Sequence, residues 1–485
     1  MNLTVNSHVS VIIASQTGAM LDSNVYTGGG TDDTAVLQSA LDMAQSGGVH
    51  LIMDGAARVT GLTLYSNTTI ECLNKDCGFY LSDHVNHPIL RNAHPDFKSV
   101  HDKNIRIIGG TYHNNCLHQE HDIPLENSPY PEIAAEMKVF RDRYWTKGFE
   151  FIGVEGLSIS GITLRDQRTF GMLIANWKHV DMSDIVIDLQ NHMDAQNQDG
   201  VHFWGPGQFL NIRNICGSSG DDFIALAPDE HDKTSGITDV LIDGVFLDHA
   251  DQGIRMLSRG TGRLDRVTVR NVTGTYKSYG FYINAWFPGE TYGNFGSIVF
   301  ENIDLRQSEA NYDYTAPFLF RLGANIESIV FRNIIHHHAL DQRALFEIGI
   351  PFYNTDYRHP TNARPVIESM VIEGLHIANE AENAAESEYI KVFNPVKHMV
   401  LRNVDILRNN MREPAGCAIC LRPHGEIDTL LLQNISCDNL SSFVQAHEGK
   451  IHTLMITNTL SRNLKHGFSD HSDICVEQFY QTNMF

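Results

Sequence analysis

From residue 105 onward the chain repeats one pattern: apolar, any, apolar, any, then Asn or Gly (once Asp), then apolar again. Alternation of period two puts every second side chain on one face of an extended strand, so the pattern predicts strands rather than helices. Clear copies are Leu157-Ser-Ile-Ser-Gly161-Ile, Leu210-Asn-Ile-Arg-Asn214-Ile, Val267-Thr-Val-Arg-Asn271-Val, Ile298-Val-Phe-Glu-Asn302-Ile, Ile329-Val-Phe-Arg-Asn333-Ile and Met399-Val-Leu-Arg-Asn403-Val. The corner residue advances by about 23 to 31 positions in most steps, a spacing at which each period is one coil of a solenoid. Asn and Gly suit such corners because both tolerate left-handed backbone. The expectation is an all-β, right-handed parallel β-helix, with Ile, Val and Leu stacked coil over coil.

Ahead of the repeat, Thr31-Asp32-Asp33-Thr34 precedes an apolar-periodic run that ends before Gly47-Gly48. This predicts a capped helix over about 33–46, placed to seal the open end of the coil stack. The chain is accordingly read as a single domain over 1–485, with a cap region at 1–60, coils over 61–470 and a tail at 471–485. Longer steps between Thr111 and Gly148 and around Pro351 to Pro365 predict loops, either walls of a binding face, or else decoration or subunit contacts in a homo-oligomer.

The formal net charge of −22 disfavours nucleic acid or an anionic membrane as partner, and no segment approaches the apolar length of a membrane span. Met1-Asn2-Leu3-Thr4-Val5-Asn6-Ser7 lacks the basic and apolar regions of a secretory signal. Eight scattered cysteines are too sparse for a disulfide framework, so a cytoplasmic setting is expected. Cys417-Ala-Ile-Cys420 is read as two reduced cysteines in a strand, with no second pair and no rescue from His424. His336-His337-His338 is read as a solvated loop, because consecutive strand residues point to alternate faces and cannot all reach one ion. No metal site and no cofactor are assigned.

The chemistry concentrates in Asn197-Gln198-Asp199-Gly200 and Gly220-Asp221-Asp222, about one coil apart. Parallel strands lie roughly 4.8 Å apart, which should make Asp199, Asp221 and Asp222 neighbours. Crowded like charges favour one protonated carboxyl beside ionised partners, the division that acid/base hydrolysis of a glycosidic bond requires. A calcium site and plain Asp capping of coil turns remain open on spacing alone.

Residues from about Thr31 to Ser308 resemble glycoside hydrolase family 28, the polygalacturonases and their relatives, which are inverting enzymes on right-handed parallel β-helices. Asn197-Gln198-Asp199-Gly200 matches the family's Asn-Thr-Asp-Gly, and Gly220-Asp221-Asp222-Phe223-Ile224-Ala225 matches its Gly-Asp-Asp motif. The resemblance implies Asp221 as general acid, Asp199 and Asp222 activating the attacking water, and Asn197 beside the substrate. Inversion needs opposed carboxyls roughly 6.5 to 9.5 Å apart to admit that water.

The match breaks around the substrate. The family's His-Gly motif reads Gln252-Gly253-Ile254-Arg255 here, with His249 three residues earlier as the alternative to the missing histidine. The family's Arg-Ile-Lys, which engages the substrate carboxylate, reads Tyr282-Ile283-Asn284, and both cations are gone. A buried carboxylate left unpaired would cost several kcal/mol, on the order of a lost buried ion-pair partner, so polygalacturonate is disfavoured. Tyr282, Asn284 and Trp286 suit a neutral sugar, through amide hydrogen bonds and ring stacking, or else fill a loop. Arg255 either recognises an acid from a new angle or pairs with Asp248 or Asp251. His202, where the family usually has another Asp, is read as a substrate contact and not a metal ligand.

The leading expectation is therefore a hydrolase on an oligosaccharide, acting from its end. A lyase or epimerase on the same scaffold, and a noncatalytic carbohydrate-binding stem of tailspike type, are the competing readings.

Overall fold

The computed structural model describes residues 9–120, 146–193, 197–285, 292–308, 317–338, 344–349, 364–379, 388–407, 414–466 and 475–484. The chain parts into two compact units, Met1–Leu226 and Ala227–Phe485. Each is built of parallel strands paired with the next coil, as the period-two repeat predicts.

In the first unit one inward column runs Leu51, Ile70, Ile107, Ile159, Met182 and Ile212, each in register with the next. In the second, Val269, Phe300, Phe331, Ile372, Leu401 and Leu432 form the equivalent column. All are fully or almost fully buried. Each such side chain contributes roughly 1.5–3 kcal/mol on leaving water, and a coil cannot collect that without a neighbour above or below it. Phe281, Phe320 and Phe346 stack on a second column, with ring centroids 4.6 and 4.9 Å apart.

The corners behave as the repeat requires. Asn271, Asn302, Asn333, Asn403, Asn434 and Asn458 all have positive φ. Their side chains form a ladder: Asn302 donates to Asn271 at 3.0 Å and Asn333 to Asn302 at 3.1 Å. Further along, Asn434 donates to Asn403 at 3.0 Å and Asn458 to Asn434 at 3.2 Å. Gly374 fills the one intermediate corner with φ +74°, where glycine alone adopts that backbone freely.

The expected helix is Thr34–Asp42, continued by a 3-10 turn Met43–Gln45, with Leu37, Ala40 and Leu41 buried. Its cap differs in detail from a simple N-cap. Asp32 accepts the Thr34 N–H at 2.9 Å, while the Asp33 carboxylate turns back to the Met20 and Leu21 N–H groups. Gln38 binds Thr63 through both amide atoms, fixing the helix to the strand Leu62–Leu64.

Two readings change. Cys475–Met484, assigned to a tail, forms a strand in parallel register with Lys450–Arg462, because its extended run adds one more rung. His336 and His337 close the strand Ile326–His338 rather than a solvated loop. His336 is buried against the Tyr276 hydroxyl at 2.9 Å, and His337 faces Asp304 at 3.0 Å. Residues 121–145 and 350–363, which hold most of both long insertions, lie outside the described residues. Among the described residues no helix is long and apolar enough to cross a membrane.

Candidate active site

The two Asp-containing motifs meet in the first unit. Each lies immediately before a strand: Asn197–Gly200 leads into Val201–Gly217, and Gly220-Asp221 leads into Asp222–Ala227. Three hydrogen bonds stitch them together. The Asn197 N–H donates to Asp221 Oδ2 at 3.0 Å, Gly220 N–H to the Gln198 carbonyl at 3.1 Å, and Gly200 N–H to the Asp222 carbonyl at 2.9 Å. The motif glycine permits this approach, since a Cβ on Gly200 would sit 2.4 Å from the Phe223 carbonyl oxygen.

Asp199 is buried, and its Oδ2 lies 2.7 Å from His202 Nδ1. The imidazole is held in turn by stacking on Phe170, with centroids 4.3 Å apart, and by an edge contact with Trp204. His202 thus orients a carboxylate from within the wall. Asp222 is also buried, whereas Asp221 is half-buried. The arrangement presents carboxylates of unequal solvation on adjoining coils.

Gln198, which takes the place of the motif's threonine, is fully buried and braces the segment. Its Nε2 donates to the Gln167 carbonyl at 2.8 Å and to the Asn191 carbonyl at 3.2 Å, while Oε1 accepts the Met193 N–H at 2.8 Å. Asn191 is anchored on Asp166 by both its backbone and side-chain N–H groups. His113 sits 3.5 Å from Asp166, and burial pushes its pKa down to about 4. Burial likewise raises the Cys116 thiol to about 12. Gln167, Asn191 and Asp166 were not singled out in the sequence; only their coil-to-coil placement gives them a role.

The other predicted contacts fall in the second unit, where Arg255, Tyr282, Arg321 and Glu347 stand in consecutive register. Arg255 Nε donates to Asn284 Oδ1 at 3.0 Å and Nη1 to the Tyr279 hydroxyl at 2.8 Å, with the guanidinium 4.1 Å from the Tyr282 ring centre. The Tyr279 hydroxyl donates to Gln252 Oε1. Asp251 pairs with Lys277, and Asp248 with the exposed His249. Gln252 and Asn284 are buried, while the His249 side chain is 66% exposed, so it is Gln252 that occupies the packed position. Arg321, lying beyond the stretch that resembles family 28, escaped the sequence reading. It binds Glu347 at 2.6 Å and lies 3.9 Å from the Phe318 ring centre. Trp286 lies outside the described residues.

Residues 89–313 match the family model of the glycosyl hydrolases family 28. An exopolygalacturonase of Arabidopsis thaliana is 28% identical over 159 residues, 32% of this chain and 33% of that protein. The chain thus matches about a third of the length of this curated relative. The family 28 exopolygalacturonase of Yersinia enterocolitica superposes with TM-score 0.51 at 13% identity, covering 98% of this chain and 78% of that one. A tailspike protein of E. coli bacteriophage HK620 gives TM-score 0.54 at 10% identity, covering 93% and 77%. At such identities the two structures share the parallel β-helix and nothing narrower is inferred from them.

Proposed function

We propose that the protein hydrolyses a glycosidic bond with inversion, a reading supported by the match of residues 89–313 to the family 28 glycosyl hydrolase model. Asp221 protonates the leaving oxygen. Asp199 and Asp222 draw the proton from a water that attacks the opposite face of the sugar. The observation that carries this reading is the interlocking of the two motifs, with Asn197 N–H on Asp221 Oδ2 at 3.0 Å and His202 on Asp199 at 2.7 Å. Neither capping of turns nor a cation site requires a buried imidazole aimed at one carboxylate.

For the substrate, the missing Arg-Ile-Lys cations favour a sugar other than polygalacturonate, and the name of the Arabidopsis relative favours action from a chain end. A cytoplasmic setting is supported by the eight cysteines being too sparse and scattered for a disulfide framework. The test is incubation of the protein and of Asp221→Asn with a panel of neutral and acidic oligosaccharides, products being resolved by size and ultraviolet absorbance. Hydrolysis by the wild type and its loss in the variant are expected. Full activity in Asp221→Asn would remove the assigned acid, and an unsaturated, ultraviolet-absorbing product would replace hydrolysis by elimination.

A further inference from the structure

A second site centres on Cys420. It lies on the strand Cys417–Leu421, with Glu388–Val392 one coil before and Ser442–Ala446 one coil after. Glu388 is in register with Cys417, and Leu421 with Ala446, so that His447 follows directly on the next coil. One ligand atom each from Glu388, Cys420 and His447 lie within 4.8 Å of one another.

We propose that Glu388, Cys420 and His447 form a site for a thiophilic divalent cation, Zn²⁺ above all. One sulfur, one imidazole and one carboxylate are three protein ligands of the kind zinc takes, with its fourth position left to water. Arg422 grips both Glu388 oxygens at 2.5 and 2.6 Å and Lys391 lies 3.5 Å from one of them, so the carboxylate is held in place from outside. Binding is an exchange in which Zn²⁺ enters and the thiol proton leaves to solvent, with no change of oxidation state. Because the ligands come from three successive coils, the ion would clip them together, with the exposed His447 on the entry side.

The reduced, metal-free protein titrated with Co²⁺ as optical probe, then with Zn²⁺, tests this. One equivalent of Co²⁺ should give a tetrahedral ligand-field spectrum with a thiolate-to-cobalt charge-transfer band and release about one thiol proton per ion, and Zn²⁺ should bleach the band. Cys420→Ser should abolish the charge-transfer intensity that Cys437→Ser, a buried thiol away from the site, retains. His447 is exposed, so His447→Ala keeps the packing intact and should weaken Co²⁺ affinity at least tenfold while removing the rise in melting temperature that Zn²⁺ gives the wild type. The proposal is overturned by a wild type without the charge-transfer band in excess Co²⁺, by a band that survives Cys420→Ser, or by unchanged affinity in His447→Ala.

Discussion

His202 Nδ1 lies 2.7 Å from Asp199 Oδ2, and the same imidazole stacks on Phe170. The first contact fixes where the carboxylate points; the second fixes the imidazole. His202→Phe keeps a ring to stack and deletes the hydrogen bond. A hydrogen bond to a charged group is worth about 1.5–3 kcal/mol, so kcat should fall roughly ten- to a hundredfold with KM little altered, and the limb of the pH profile set by the base should shift. Unchanged kcat and pH profile in steady-state assays would remove His202 from the positioning of Asp199.

The asparagine ladder predicts an order among corner substitutions. Asn302 holds φ +56°, donates to Asn271 and accepts from Asn333. Asn302→Ala loses both bonds and keeps a Cβ in left-handed backbone without the polar side chain that lets Asn adopt it, costing about 1–3 kcal/mol; Asn302→Gly loses the bonds but relieves the backbone and should cost about 1 kcal/mol. Urea midpoints measure the difference, and equal midpoints for the two variants would mean that the corner is not strained.

Much of this was legible in the chain because it depends on period alone. Leu157 to Gly161 or Ile329 to Asn333 announce a strand and a corner without reference to anything distant, and stacking follows from repetition. The two Asp motifs could be placed on adjoining coils for the same reason. What the sequence could not yield is lateral and long-range. That His202 turns onto Asp199, that Arg321 stands one coil beyond Tyr282, and that Glu388 and His447 flank Cys420 all depend on how loops of unequal length bring coils into register. Helix capping was only half readable, because Asp32 and Asp33 are chemically alike and only the chain path decides which one meets Thr34.

Arg321 and Glu347 form a buried ion pair, each side chain under a tenth exposed. Glu347→Gln leaves a desolvated guanidinium facing a neutral amide, a loss of about 3–5 kcal/mol, whereas replacing both by Met and Leu should be near neutral. Denaturant titration of the single and double variants checks this; a single variant as stable as the double would contradict it.

His113 links stability to pH. Burial depresses its folded pKa to about 4, against about 6.5 for an exposed histidine, so between those values the unfolded chain binds the extra proton. Stability from this group is complete above pH about 6.5 and is lost as pH falls towards 4. His113→Gln should flatten the decline of melting temperature across that interval, and an identical slope in wild type and variant would contradict the assignment.

The most direct measurement of the central claim is the anomer of the first-formed sugar, followed by proton NMR on whichever oligosaccharide the protein cleaves, with Asp221→Asn run in parallel. Asp221 as acid facing a water activated by Asp199 and Asp222 predicts an inverted anomer at the earliest time points and a variant slowed about a hundredfold or more. A retained anomer, or a variant as fast as the wild type, would contradict the roles given to these three carboxylates.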